Sequence, residues 1–348
     1  MKFNKLITLI LIVFLKTETL LSQNNLFNVN NIELEKNDKT TNDDLADKAI
    51  KKGFDQLIIK ILLKEDVGKF KNLNFSTVKQ LVTFYQISNL TDEKTDRDLV
   101  NFSVTFDKEK VHRLFFERGI SYSDISDREL YVLPIFIEND EVNIFNNNFF
   151  YTNWNNFYKN DLIEFILPLE NIEIIQKINK NKNSLINLNI SNLFEEYPSK
   201  NLAIVLIEKK KNFEKKIYIK SRIQEKNISK SINITKKNEK LKDYKETIIE
   251  DLKIELIDLV KAANLIDIRT PSFLNVKLNL NKKSNLVELN SRLQNIDLIE
   301  NVFVQEFNKD TMRLRIKYLG KLEKIINQLK KKNINLQFIN EQWVIKTL

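Results

Sequence analysis

The side chains that most often carry out chemistry in proteins are nearly missing from this chain of 348 residues. It contains no cysteine, which excludes thiol nucleophiles, disulfides, thiolate zinc sites and cysteine-ligated iron–sulfur clusters. Its one histidine, His112, cannot form the paired histidines of a zinc protease motif. The four glycines lie far apart, which excludes a glycine-rich phosphate loop and a serine nucleophile elbow. The sequence therefore predicts no catalytic residue, no metal site and no cofactor.

A few of the remaining polar residues are candidates for acid–base chemistry. His112 would need a partner that the sequence cannot place, so it is interpreted as an ordinary surface or capping histidine at a helix start. Glu195 and Glu196 form the most compact pair of acids in the middle of the chain, but neighbouring side chains on a helix diverge and do not form a dyad. The abundant carboxylates still permit, in principle, a hydrolase that uses two acids.

Four other residues are predicted to have structural roles. Asp107 stands before an apolar helix, so we expect it to cap that helix rather than to bind a metal. Gly320 lies between a strand pattern and a helix pattern, at a turn where a side chain would be costly. Trp154 and Trp343 are interpreted as packing anchors, because aromatic rings bury much apolar surface.

Positive charge is concentrated in two segments. Residues 200–245 hold fifteen Lys or Arg and five Asp or Glu, and residues 309–332 hold nine and two. Such segments could face anionic lipid headgroups. The alternative is that their lysines lie in solvated turns and on strand edges, where charge opposes aggregation. Nucleic acid is not predicted as a partner, since arginines interleaved with aromatic residues are missing. The lysines expected to meet a membrane surface are Lys209, Lys210, Lys211, Lys215 and Lys216.

The N-terminus has the pattern of an export signal. Lys2 and Lys5 precede an apolar run at residues 6–15, and Ser22 is a small residue at a suitable cleavage position. The run is about half of the ~20 residues needed to span a bilayer, which favours a secretory signal peptide. An uncleaved membrane anchor and a buried helix are the alternatives. The mature chain is then expected in the periplasm.

Apolar periodicity predicts an α+β protein of several small units. Asp43 or Asp44 is expected to cap a first long helix, and Ser76 to cap a second helix that includes Val82 and Tyr85. The last unit follows a β-α-β-β-α-β order with an extra strand, which is typical of a ferredoxin-like domain. The predicted divisions are a signal peptide at 1–22, a linker at 23–40, an N-terminal α/β domain at 41–148, a middle α/β domain with an antiparallel meander at 149–240, and a connecting helix with the ferredoxin-like domain at 241–348.

Six short segments follow one another along the chain at residues 49–58, 102–107, 128–133, 167–170, 318–320 and 341–345. In this order they resemble the bacterial family of exported proteins catalogued as domain of unknown function 2066. The chain departs from the family pattern at Tyr122, near where a tryptophan is usual, after Arg128, where proline is missing, and at Gln342, where glycine is usual. The resemblance implies an envelope location and supports the architecture, but it transfers no catalytic residue.

The sequence favours an exported, non-enzymatic envelope protein that acts as an interaction or scaffold module with a protein partner. Small α/β units serve many functions, so this role rests on fold analogy. One alternative is a carboxylate-based hydrolase acting on an envelope polymer, which would need two acids with opposed pKa values. The other is a membrane-surface binding protein that uses the basic segments.

We expect a fusion of residues 1–40 to alkaline phosphatase to be exported, because the charged start and the apolar run are the features that direct secretion. Phosphatase activity of whole cells measures export, since the enzyme needs disulfides that form outside the cytoplasm. A fusion in which residues 6–15 are interrupted by aspartates is the control. An inactive cytoplasmic fusion of the unchanged segment would contradict the predicted compartment.

Overall fold

A computed structural model describes residues 26–36, 40–91, 98–125, 127–158, 162–209, 215–234, 241–280 and 286–347. The predicted signal peptide lies outside these residues. Helices and strands alternate through the described chain, which confirms the α+β class. The chain divides into a discontinuous unit, which runs up to Tyr122 and resumes at Ile266, and an inserted unit, Ser123–Leu265. Among the described residues, none of the helices combines the length and apolar character needed to cross a bilayer.

The N-terminal half of the discontinuous unit, residues 26–122, is a small antiparallel sheet packed on helices. Its elements are β1 (Asn28–Glu35), α1 (Asn42–Ile61), α2 (Lys64–Val67), α3 (Phe75–Gln80), β2 (Val82–Thr91), β3 (Asp98–Phe106), α4 (Lys108–Glu117) and the first residue of β4 (Tyr122–Ser123). The strand order is β1-β3-β2. Phe102 and Val104 of β3 are buried, and α1 covers this face with a stripe of apolar residues at helical spacing.

Two predictions about the start of this half need correction. The stretch predicted as a linker contains β1, because Val29 and Ile32 reach the core while the polar residues between them bulge outward. The cap of α1 is Thr41. Its hydroxyl accepts a hydrogen bond from the Asp44 N–H at 3.1 Å, and the Asp44 carboxylate accepts one from the Thr41 N–H at 3.2 Å. Asp44 is therefore the third residue of a capping box and not the cap.

The second predicted helix is also shorter than expected. Asn74 caps α3 through its side-chain oxygen, which accepts from the Ser76 N–H at 3.1 Å, so Ser76 lies inside the first turn. The helix ends at Gln80, and Val82 and Tyr85 belong to strand β2. Pairing with β3 overrides the helical spacing of these apolar residues, because β-branched and aromatic side chains fit a sheet equally well.

The inserted unit contains one mixed sheet. Its elements are β5 (Glu129–Glu138), β6 (Glu141–Asn143), α5 (Phe149–Asn153), β7 (Glu164–Ile166), α6 (Ile172–Lys180), α7 (Ile190–Leu193), β8 (Asn201–Lys209), β9 (Lys215–Ile223), β10 (Lys226–Ile234), α8 (Leu241–Ala263) and the first residue of β11 (Leu265–Ile266). The strand order is β10-β9-β8-β5-β6, and β7 also pairs with β5. The predicted meander is confirmed as β8-β9-β10.

Both faces of this sheet are covered near its centre. On one face α8 and Trp154 pack against Val205 and Ile219, and on the other α6 and α7 pack against Ile204 and Leu206. Strand β8 is consequently almost wholly apolar, as strands buried on both faces are. Trp154 is fully buried and meets Phe165 edge-on, with ring centroids 6.1 Å apart, which confirms it as a packing anchor.

The unit boundaries differ from the divisions predicted after residues 148 and 240. Strands β5 and β8 pair in parallel along eight residue pairs, so residues on both sides of 148 belong to one sheet. Helix α8 packs against this same sheet and therefore belongs to the inserted unit rather than to the C-terminal domain. Parallel pairing joins strands that are distant in sequence, and local periodicity cannot predict such pairing.

The C-terminal half of the discontinuous unit, residues 266–347, has the predicted β-α-β-β-α-β order with one extra strand. Its elements are β12 (Ser272–Asn279), α9 (Leu286–Gln294), β13 (Ile299–Phe307), β14 (Thr311–Tyr318), α10 (Leu322–Lys331), β15 (Ile334–Ile339) and β16 (Gln342–Thr347). The sheet order is β13-β14-β12-β16-β15. The extra strand β16 lies between β12 and β15 and is parallel to β12.

The two halves repeat one arrangement and share one core. In both, the second strand pairs with the third and the third with the first, as β2-β3-β1 and as β13-β14-β12. Buried residues of the two halves form a single hydrophobic cluster, in which Phe102 and Phe115 belong with Val276 and Ile316. The chain ends of the described structure are therefore parts of one folded unit.

Two other local predictions, a helix cap and a glycine turn, match the structure. The Asp107 carboxylate accepts from the Lys110 N–H at 3.1 Å and caps α4. Gly119 follows α4 with a φ of 63°, and Gly320 lies between β14 and α10 with a φ of 81°. Residues other than glycine rarely adopt such positive φ values, so Gly320 has the predicted role and Gly119 ends α4 in a similar way.

Candidate functional site on the C-terminal sheet

The sheet of the C-terminal half presents its two faces to different surroundings. Residues Leu274, Val276 and Leu278 of β12 are buried in the shared core together with α9 and α10. The residues between them point to the opposite side, because successive side chains of a strand alternate. We call this opposite side the outer face. Its most exposed rings, Phe273 and Phe303, each keep 47% of their surface exposed.

Arg315 lies between these two rings. Its guanidinium stands over the Phe273 ring, 4.1 Å from the centroid. Phe303 of β13 is the direct cross-strand partner of Arg315, so its ring shares the outer face. A guanidinium on an aromatic face is attracted by the ring electrons and stays planar and accessible. The three side chains form a row across three strands, which we call the Arg315 row.

Further cations surround the Arg315 row. Lys277 of β12 is directly opposite Arg313 of β14, and Lys317 lies two residues beyond Arg315 on the same side. Like charges directly opposite each other destabilise a sheet unless an anion compensates them. The Glu306 carboxylate lies 3.1 Å from an Arg313 nitrogen and supplies part of that compensation. Cations still outnumber carboxylates on the outer face.

Lys317 connects the outer face to a partly buried group of ionisable residues. Its amine lies 2.9 Å from one oxygen of Glu300, and the other oxygen of Glu300 lies 3.7 Å from Nδ1 of His112 on α4. The hydrogen bond from His112 and the lysine charge lower the Glu300 pKa to about 2 against the opposing effect of burial. Glu300 therefore stays ionised and joins the two halves of the discontinuous unit.

We call the place where His112, Glu300 and Lys317 meet the junction. His112 is buried in the junction and does not lie at a surface. It is 6% exposed, stacks on Tyr122 with a centroid distance of 5.1 Å, and meets the Phe27 ring edge-on at 5.3 Å. Its Nε2 has no hydrogen-bond partner among the described residues. The prediction of a surface or capping histidine is therefore wrong, because the ring is buried against residues that are remote in sequence.

Two further charges complete the junction. The Lys108 amine donates to the backbone carbonyl of Ile299 at 2.6 Å, and burial lowers the Lys108 pKa. The Leu26 N–H donates to the Asp297 carboxylate at 3.3 Å, yet burial outweighs that bond and raises the Asp297 pKa. No local sequence signal marks Lys108, Asp297 and Glu300, because each gains its role from a contact between the two halves.

The cations of the two basic segments lie in different structural settings. In residues 309–332, Arg313, Arg315 and Lys317 occupy alternate positions of β14, so all three reach the outer face. In residues 200–245, Lys209 pairs with Glu138, and the Lys216 amine lies 4.6 Å from the centroid of the Tyr218 ring. Of the other predicted membrane-facing lysines, Lys210, Lys211 and the side chain of Lys215 lie outside the described residues.

The remaining candidates occupy separate places. Glu195 pairs with Lys177 at 3.0 Å, whereas Glu196 accepts from the Asn171 amide at 3.2 Å. These neighbouring acids diverge as predicted, but they lie in a turn and not on the expected helix. Trp343 is half-buried against the shared core and packs on Phe338 with ring centroids 5.0 Å apart, which fits a packing anchor.

Glu300→Gln is expected to lower the free energy of unfolding at neutral pH by about 1 kcal/mol, because a partly exposed charged contact is lost. The folded pKa of about 2 lies below the ordinary value of 4.5, so the contribution of the carboxylate is complete above pH 4.5. It is lost as the pH falls toward 2, where wild type and variant should converge. Urea unfolding at several pH values measures this difference.

Glu306→Gln is the matched control, since this carboxylate is exposed and pairs with Arg313 on the same sheet. Its effect should be at most about 0.5 kcal/mol. A Glu300→Gln difference that stays constant from neutral pH down to the lowest pH would contradict the assigned junction.

Comparison of the chain with protein-family models, with curated proteins and with solved structures finds no match. The resemblance to the domain of unknown function 2066 family therefore stays a prediction.

Proposed function

We propose that this protein is a non-enzymatic binding module of the cell envelope that docks an acidic segment of a partner protein on the outer face. The Arg315 row is the observation that carries the proposal. Arg315 is exposed, its guanidinium is pre-oriented by Phe273, and its charge adds to that of Lys277 and Arg313. A planar guanidinium suits carboxylates, which it can bind through two parallel hydrogen bonds.

Charge complementarity favours an acidic protein segment over other partners. The outer face combines cations with half-exposed rings, and interfaces between proteins are enriched in arginine and aromatic residues. A membrane surface would be met by mobile lysines, whereas Arg313 and Arg315 are held in place by Glu306 and Phe273. The envelope location follows from the predicted export signal and is part of the proposal.

Arg315→Glu is expected to weaken binding of the full chain to poly-L-glutamate by about tenfold or more, because a repulsive charge replaces the central attraction. Fluorescence anisotropy with labelled poly-L-glutamate measures the dissociation constant at fixed salt. Lys226→Glu is the matched control, since Lys226 is exposed on β10 of the inserted unit and the change in net charge is the same.

Equal losses in the two variants would mean that net charge alone drives binding, and would contradict docking on the outer face. Vesicles that contain phosphatidylglycerol and single-stranded oligothymidylate serve as competing probes. Tighter binding of either probe, with the same dependence on Arg315, would replace the acidic protein segment by a membrane or a nucleic acid.

A carboxylate-based hydrolase is the second candidate, and one observation favours it. Asp297 and Glu300 lie three residues apart and their pKa values are shifted in opposite directions, up for Asp297 and down for Glu300. Such a pair could supply an acid and a base. It ranks second because Glu300 is already engaged by His112 and Lys317, and Asp297 by the Leu26 N–H.

If the hydrolase proposal holds, the full chain should release soluble fragments from purified peptidoglycan, and Asp297→Asn should abolish that release because the proton donor is lost. Retained folding is checked by circular dichroism. Unchanged peptidoglycan after prolonged incubation, with the wild-type chain folded, counts against this candidate.

A further inference from the structure

A groove in the inserted unit is separate from the outer face. It has a volume of about 210 Å³ and is lined by residues of β8, β9 and β10 and of a neighbouring turn. Leu206 and Tyr218 form its floor, and Leu185 and Ile186, in a 3-10 turn at Lys182–Asn187, form one wall. Ile186 is 53% exposed, so the wall is apolar and open to solvent.

The opposite rim of the groove is polar. Ser229 and Ser231 of β10 point into it, while Lys230, between them, points to the other side of the sheet and pairs with Glu255 of α8. Strand β10 is at the edge of the sheet, and every described residue of it except Ile228 and Ile232 is exposed. The rim therefore offers hydroxyl donors beside an apolar floor.

Strand β9 adds positive charge along the groove. Lys216, Tyr218, Lys220 and Arg222 occupy alternate positions and share the groove side of the sheet. Lys220 donates to the backbone carbonyl of Leu188 at 2.7 Å, so a neutral oxygen holds it in place.

The charge of this row is only partly compensated. Arg222 donates to the Ser191 hydroxyl at 2.9 Å, again a neutral oxygen. One carboxylate, Glu208, is the cross-strand partner of Lys216. The row of cations along β9 consequently keeps a net positive charge next to the apolar floor.

We infer that this groove binds a single-chain anionic amphiphile such as a fatty acid. The acyl chain lies on Leu206 and Tyr218 against Ile186, and the carboxylate meets the Ser231 hydroxyl and the cations of β9. A volume of about 210 Å³ has room for about seven groups the size of a water molecule or a methylene. This inference does not rest on the docking proposed for the outer face, since it concerns the other unit.

Octanoate, octanol and octyltrimethylammonium are the probes, because they share one chain length and differ in charge. Titration of the full chain, followed by amide chemical shifts in NMR spectra, is expected to show octanoate binding most tightly and shifting residues of β9 and β10. Equal affinity for all three probes, or no shifts in these strands, would overturn the inference.

Two variants at one exposed position separate charge from shape. Ser231→Glu is expected to weaken octanoate binding by about tenfold and to favour the cationic probe, because the new carboxylate repels the ligand. Ser231→Gln, which also removes the hydroxyl but adds no charge, should weaken octanoate binding by a smaller factor and should keep the preference for the anionic probe. Identical behaviour of the two variants would overturn the placement of the carboxylate.

The apolar wall is tested at Ile186, which is exposed, and circular dichroism checks that the variant is folded. Ile186→Ser should weaken octanoate and octanol by the same factor, since both lose the same contact. An unchanged octanoate affinity would place the chain elsewhere. Anionic vesicles that bind while octanoate does not would assign the cations of β9 to a membrane surface instead.

Discussion

The shared hydrophobic core of the discontinuous unit is the constraint on which the other features depend. Residues from before Tyr122 and after Ile266 form one buried cluster, so neither half encloses its apolar surface alone. Burial of that surface is the dominant favourable contribution to folding, and it fixes how the halves meet. The meeting brings α4 against the start of β13, which is why His112 faces Glu300 and Lys108 reaches the Ile299 carbonyl.

The same core leaves one side of the C-terminal sheet uncovered. Both helices of that half pack on the inner side, and Phe273, Arg315 and Phe303 on the outer face stay exposed. Surface rings are ordinary when they are scattered, but here two of them flank a guanidinium at one site. Two contacts also fix cations of the outer face: Lys317 pairs with Glu300 of the junction, and Arg315 packs on the Phe273 ring.

The C-terminal half could be predicted from the sequence because its signals are local. Apolar residues alternate through β12 and β14, and Gly320 marks the turn between β14 and α10. The missed strands had weaker local signals. Strand β1 is mostly polar, and the apolar residues of β2 also fit a helix, so only their pairing with β3 decides their structure.

Only part of the candidate site could be predicted from the sequence, because some of its features are local and others depend on long-range contacts. The charge of residues 309–332 is evident in the sequence, and alternation along β14 explains why Arg313, Arg315 and Lys317 share one face. The position of Phe273 beside Arg315 depends on the register between two strands, and the Glu300 contact depends on the meeting of two halves. Register and tertiary contacts join residues that are far apart in sequence, so no local pattern in the chain records them.

The discontinuous unit also sets an order for folding during synthesis. Every strand of the inserted unit's sheet leaves the ribosome before β12 does, so that sheet can form while the discontinuous unit is still incomplete. Until β12 to β16 follow, the N-terminal half lacks the C-terminal part of its hydrophobic core. The nascent chain therefore passes through a stage in which the inserted unit is folded while the N-terminal half still exposes apolar surface. A holdase chaperone that binds exposed apolar surface would recognise this stage and prolong it.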